Sequence, residues 1–148
     1  MHNFIDYRPP RIAMSLVLVA IAAHAVTSLP LHPALPFAAS ILGAVGFAIM
    51  IRAWWLFRLV GTAICPTATS TSLLTHDVYS ISRNPMYLGM ILMLFGLALA
   101  VGSVPFYVVA LVYGVIIDKV FCPYEERKAL AEFGDDYAAY TQDVRRWF

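Results

Sequence analysis

The sequence predicts an all-α polytopic membrane protein, with about four transmembrane helices and a short helical tail. Three observations carry that expectation. Of the 148 residues, 61% are hydrophobic and 13% are charged, against about 25% charged in a soluble domain. Mean hydropathy is +0.74. The charges are also segregated: no Asp, Glu, Lys or Arg lies between Arg11 and Arg52, or between Arg83 and Asp118. Each gap is long enough for a pair of spans. The length fits one membrane-embedded domain over 1–148.

The elements follow in order. Helix one is expected from about Ile12 to Leu29. "PLHPALP" then breaks the chain with prolines at 30, 33 and 36. Helix two is expected from about Phe37 to Val60. Its first half carries Ala38, Ala39, Ser40, Gly43, Ala44, Gly46 and Ala48, small residues that permit close packing in lipid. Its second half, "IRAWWLFR", sets Arg52 and Arg58 among aromatics, as at a membrane interface. Gly61 to Asn84 is a polar loop. Helix three should run from about Met86 to Val101 and helix four from about Pro105 to Phe121, with "GSVP" as the turn. Each is near the lower limit of about 17 residues for a span.

The tail "CPYEERKALAEFGDDYAAYTQDVRRWF" has its own helix grammar. Pro123 suits a first helical position, Glu125 and Glu126 fall in the first turn, and Gly134 suits a C-terminal cap. Asp135 can cap a second short helix, with Tyr137 and Tyr140 on one face. The tail should lie against the ends of the spans.

Basic residues orient the bundle. Arg8 and Arg11 precede helix one. Arg52, Arg58 and Arg83 flank the central loop. Lys119, Arg127, Lys128, Arg145 and Arg146 follow helix four. The loops around His32 and Ser103 have no Lys or Arg. Both termini and the central loop are therefore expected in the cytoplasm, with helix one as a retained span rather than a signal peptide. A net charge of +1 gives no reason to expect a nucleic-acid partner. Cys65 and Cys122 are isolated, so no metal or redox pair is expected.

Two polar clusters remain. Arg83, Asn84, Pro85 and Tyr87 open helix three. A helix N-terminus offers unpaired N–H groups and partial positive charge, Pro85 is tolerated there, and Arg83 adds a planar donor fork. That combination suits a carboxylate or phosphate. Gly89, one turn on, leaves room for a ligand or for another helix. Glu125 and Glu126, after helix four, suit hydroxyls or an amino group. A helical hairpin would make the clusters neighbours. Taken singly, each residue has a commoner structural role: Arg83 as an interfacial arginine, the glutamates as helix-start residues, Tyr87, Tyr107, Tyr113, Trp54 and Trp55 as packing or belt residues. Asp118 beside Lys119 reads as a structural pair, His76 as a loop histidine, and His24 has no role.

In combination, "RNPMYLG" from Arg83 to Gly89, Tyr79 before it, the Glu125–Glu126 pair, and then Leu130, Phe133, Gly134, Tyr137 and Tyr140 resemble a superfamily of membrane methyltransferases. It includes the isoprenylcysteine carboxyl methyltransferases and the phospholipid N-methyltransferases. The resemblance covers roughly Leu73 to Arg145. It implies S-adenosylmethionine as methyl donor, with Arg83, Asn84 and Tyr87 at the methionine end and Glu125 and Glu126 facing ribose or amino group. Adenine would lie in an apolar pocket between helices three and four. The implied acceptor is a lipid or small hydrophobic molecule: a phospholipid amine, an isoprenylcysteine-type carboxylate or a thiol. Asp77 stands where many relatives have glycine, and Ser80 where many have a basic residue. The other readings are a membrane sterol-type reductase using NADPH and a non-enzymatic membrane subunit.

Overall fold

The structure is a computed structural model that describes residues 9–27, 29–31, 35–61 and 72–148. Arg8, His32 and Cys65, and residues 62–71 of the central loop, lie outside the described residues. The architecture is helical: α1 (Pro9–Thr27), α2 (Pro36–Val60), a 3₁₀ turn (Asp77–Ser80), α3 (Pro85–Val101), α4 (Val104–Ile116), a π-helical turn (Ile117–Phe121) and α5 (Cys122–Asp143). α1 and α2 are each long and apolar enough to cross a bilayer, as is the apolar part of the helix that starts at Val104; α3 is a shorter apolar helix of 17 residues. The fourth span comprises α4 and the π turn. The protein is an integral membrane protein. Its outward residues, among them Met14, Leu18, Phe37, Ile41, Val108 and Leu111, are exposed apolar side chains, which suit a lipid surrounding rather than water.

α2 and α3 pack backbone to backbone. A Cβ built on Gly89 would stand 2.5 Å from the Gly46 carbonyl oxygen, and one on Gly46 would stand 2.6 Å from the Gly89 oxygen. A Cβ on Gly96 would come within 3.0 Å of the Gly43 nitrogen. The small-residue stripe of helix two thus has a matching stripe on α3. α1 lies across α3 and α4: Ala20 packs with Ala98, Phe106 and Val109 at one end, and Ile12, Ala13 and Leu16 cover Tyr87, Tyr113 and Ile117 at the other.

At the end away from the tail, Gly102 adopts φ +67°, which turns the chain from α3 into α4. The segment after α1 pairs with this turn, as Leu31 N–H donates to the Gly102 carbonyl at 2.8 Å and Val104 N–H to that of Leu29 at 3.1 Å. His24, given no role from sequence, meets the Ser103 hydroxyl at 2.8 Å.

At the opposite end, one expectation is corrected. Helix four does not stop before Pro123; the chain runs on through the π turn into α5. Proline has no N–H and its ring crowds the carbonyl four residues back. The π turn relieves that crowding, with Cys122 N–H reaching the Ile117 carbonyl five residues back. The break expected at Gly134 is present: φ +54° and ψ −125° kink α5 and send its second part back across the bundle end. Tyr137, Tyr140 and Val144 then pack with Leu73 and Phe133, and the Tyr140 hydroxyl donates to the Tyr79 carbonyl at 2.6 Å.

Candidate active site

The site grows from the start of α3. Asn84 is the N-cap residue, with no side-chain capping bond. The Ser82 hydroxyl accepts from Asn84 N–H at 3.2 Å and donates to the Arg146 carbonyl at 2.9 Å. Arg83 N–H donates to the Arg145 carbonyl at 3.1 Å. The motif strip from 82 to 84 is therefore stitched to the C-terminal strip at 145 and 146. Within this shell two donors, Arg83 Nε and Asn84 Nδ2, are buried without a hydrogen-bond partner. Buried donors without acceptors are costly, so they mark a place for one.

The hairpin brings the two sequence clusters into direct contact. Tyr87 is buried in the first turn of α3, and its hydroxyl donates to Glu125 Oε1 at 2.5 Å. Arg83 Nη2 lies 3.2 Å from Glu126 Oε1. Of the residues singled out from the sequence, Arg83, Asn84, Tyr87, Glu125 and Glu126 gather here. Gly89 lies on the opposite face of α3, where the neighbour it admits is α2.

Glu125 follows the fourth span, and burial pushes its carboxyl up to about 7, against the opposing pull of the Tyr87 hydroxyl and Lys128. Glu126 belongs to an ionic chain. Arg146 grips it through Nε at 2.9 Å and Nη2 at 2.7 Å. Arg146 Nη1 then reaches Asp118 Oδ1 at 3.1 Å and the Asp118 carbonyl at 3.3 Å. That carbonyl is available because Pro123, the residue five on, has no N–H to offer it. Trp147 Nε1 donates to Asp118 Oδ1 at 3.0 Å, and Lys119 pairs with Oδ2 at 2.8 Å. The sequence reading of Asp118 with Lys119 is thus one part of a larger cluster.

Sequence reasoning missed Ser82 and Trp147, and read Arg146 only as one of the basic residues that orient the bundle. The closing "RRWF" closes the site. The one signal available was Asp118, an isolated acid at a span boundary, which needs a compensating partner.

Between α3 and α4 runs a groove of about 480 Å³, lined by Leu88, Ile91, Gly114, Asp118, Trp147 and Phe148. Its floor is apolar, and Asp118 and Trp147 give it a polar rim. Among the described residues no three His, Cys, Asp or Glu side chains are grouped to hold a metal. The site offers fixed donors at one end, carboxylates at the other and an apolar groove alongside.

Comparison with known families places the chain among the integral membrane methyltransferases. The family model described as phospholipid methyltransferase matches residues 35–135, 101 of the 148 residues, and the chain belongs to that family. The match begins a full helix earlier than the motifs alone suggest and takes in α2. It stops short of Tyr137, Tyr140 and the Arg146–Trp147 strip. No curated protein and no solved structure matches the chain.

Proposed function

We propose that the protein transfers a methyl group from S-adenosylmethionine to a lipid or small hydrophobic acceptor, at the cytoplasmic face of the membrane. The observation that carries this reading is the pair of cross-hairpin contacts, Tyr87 with Glu125 and Arg83 with Glu126, around two buried donors that lack acceptors. The residues fit the donor molecule. Arg83 and Asn84 would hold its carboxylate, as charge-assisted bonds to a fixed fork favour. Tyr87 orients Glu125, whose carboxyl would accept from a hydroxyl or the amino group. The groove between α3 and α4 has the apolar floor expected for adenine. Bound there, the donor supplies an electrophilic methyl group on a sulfonium.

The chain's own contribution is position and exclusion of water. Glu125 of α5, Tyr87 of α3 and Arg83 just before α3 would hold the donor's polar end. The lipid-facing sides of α3 and α4 would let an amphipathic acceptor approach from the bilayer, and the Lys/Arg distribution supports a cytoplasmic site and cytoplasmic termini. A carboxylate or thiolate acceptor needs no base; an amine must lose its proton. A reductase using NADPH is disfavoured, because two of the basic residues near the glutamates are already paired: Arg146 with Glu126 and Asp118, Lys128 with Glu132.

The test is methyl transfer from labelled S-adenosylmethionine into lipid extracts by the purified protein. Label should enter a lipid or hydrophobic fraction and fall by at least about tenfold with Arg83→Ala. No incorporation by a folded sample, or incorporation indifferent to Arg83→Ala, contradicts the reading.

A further inference from the structure

The ionic chain is unequal at Glu126. Arg146 holds both carboxylate oxygens, at 2.9 and 2.7 Å, from two nitrogens of one planar fork. Arg83 has a single contact at 3.2 Å and keeps Nε without a partner. An isolated Arg–Glu neighbour pair in a partly buried place would close into the two-pronged geometry, which satisfies both partners best. Arg83 and Glu126 do not, although they touch. The competitor is Arg146, and it is anchored in its own right. Its Nη1 donates to the Asp118 carbonyl and to Asp118 Oδ1, its own carbonyl accepts from Ser82, and Trp147 Nε1 donates to the same Oδ1.

We infer that Arg146 is a positioning residue for the donor site: by gripping Glu126 it keeps that carboxylate from closing over Arg83, so that Arg83 stays open to the anionic end of the methyl donor. This rests on the donor-site reading given above. It divides the glutamates by task. Glu125, bound by Tyr87, faces the ligand; Glu126 is a held counter-ion between two arginines. It also gives the strip beyond the family match a task in binding, since Arg146 lies outside residues 35–135.

The experiment titrates S-adenosylhomocysteine into the full chain in detergent by calorimetry, for four proteins: wild type, Arg146→Ala, Glu126→Gln, and the double variant. Thermal unfolding of each confirms the fold. Arg146→Ala should weaken binding about tenfold, as loss of a partly buried charge partner does. The double variant should bind within about threefold of Glu126→Gln alone, because the competing carboxylate has gone with its holder. Arg146→Lys, which keeps the charge but loses the two-pronged grip, takes the place of Arg146→Ala in the cycle if that variant does not fold. A merely structural Arg146 would cost the same affinity with or without the Glu126 carboxylate. Wild-type affinity in Arg146→Ala, or a double variant about tenfold weaker than Glu126→Gln, overturns the inference. Absence of binding by folded wild type overturns the donor-site reading itself, which separates the two failures.

Discussion

Tyr87 and Glu125 stand 38 residues apart in the chain and 2.5 Å apart in space, joined by a hydroxyl that donates to a carboxylate. One belongs to the first turn of α3, the other to the first turn of α5. Their contact turns two unremarkable sequence clusters into one site. Tyr87→Phe removes the donor and keeps the ring. It leaves Glu125 buried without its bond and should cost about 1–3 kcal/mol of stability. Binding of S-adenosylhomocysteine should weaken with it, measured by calorimetry on the same sample. Unchanged stability and affinity would show that the contact does not matter.

Binding should also depend on pH through Glu125. Its carboxyl is raised from an ordinary 4.5 to about 7 by burial. A ligand that donates to the ionised form binds better as pH rises through 7 and levels off above it. Affinity should therefore increase between pH 6 and 8, and Glu125→Gln should flatten the profile. The effect on stability has the opposite sign. A raised acid favours the protonated fold, so Glu125 costs stability as pH climbs from 4.5 to 7, with no further loss above.

Gly89 and Gly43 separate packing from mere composition. Gly89→Ala places a methyl 2.5 Å from the Gly46 carbonyl oxygen, where only backbone movement can relieve it. It should destabilise the bundle by about 1–3 kcal/mol or more. Gly43→Ala meets nothing within 4 Å and should be neutral or stabilising by up to about 1 kcal/mol, from helix propensity. Unfolding in mixed micelles measures both. Equal effects would contradict the α2–α3 interface.

Asp77 carries φ +62°, a left-handed conformation that favours glycine. Many relatives have glycine at that place. Here aspartate is accommodated by local bonds: Oδ1 accepts from Val78 N–H at 2.8 Å, and Oδ2 from Arg52 Nε at 3.0 Å. Asp77→Ala and Asp77→Gly both lose these side-chain bonds, but alanine keeps the backbone demand and glycine removes it. The glycine variant should melt above the alanine variant, and the reverse order would contradict the backbone account.

Much of this was legible in the sequence. The two charge-free gaps gave the spans, Gly102 the hairpin turn, and the small residues of helix two its partner face. The contacts of Tyr87 with Glu125 and of Arg83 with Glu126 followed from the hairpin. Other features were hidden for physical reasons. Pro123 reads as a helix start, because the cost of a proline inside a helix gives no hint that a π turn will absorb it. The clasp of Arg146 on Glu126 and Asp118 spans 20 and 28 residues and depends on the kink at Gly134. Periodicity reports a helix's faces but not the direction in which the chain leaves a kink. Asp77 shows its strain only beside the glycine of its relatives.

The central claim is that the motif at the start of α3 and the glutamates of α5 form one methyl-donor site. Calorimetric titration of S-adenosylhomocysteine and, separately, NADPH into the purified protein tests it most directly. The account predicts saturable binding of S-adenosylhomocysteine alone, lost in both Arg83→Ala and Glu125→Ala. Binding of NADPH instead, or of neither ligand by a folded sample, would contradict it.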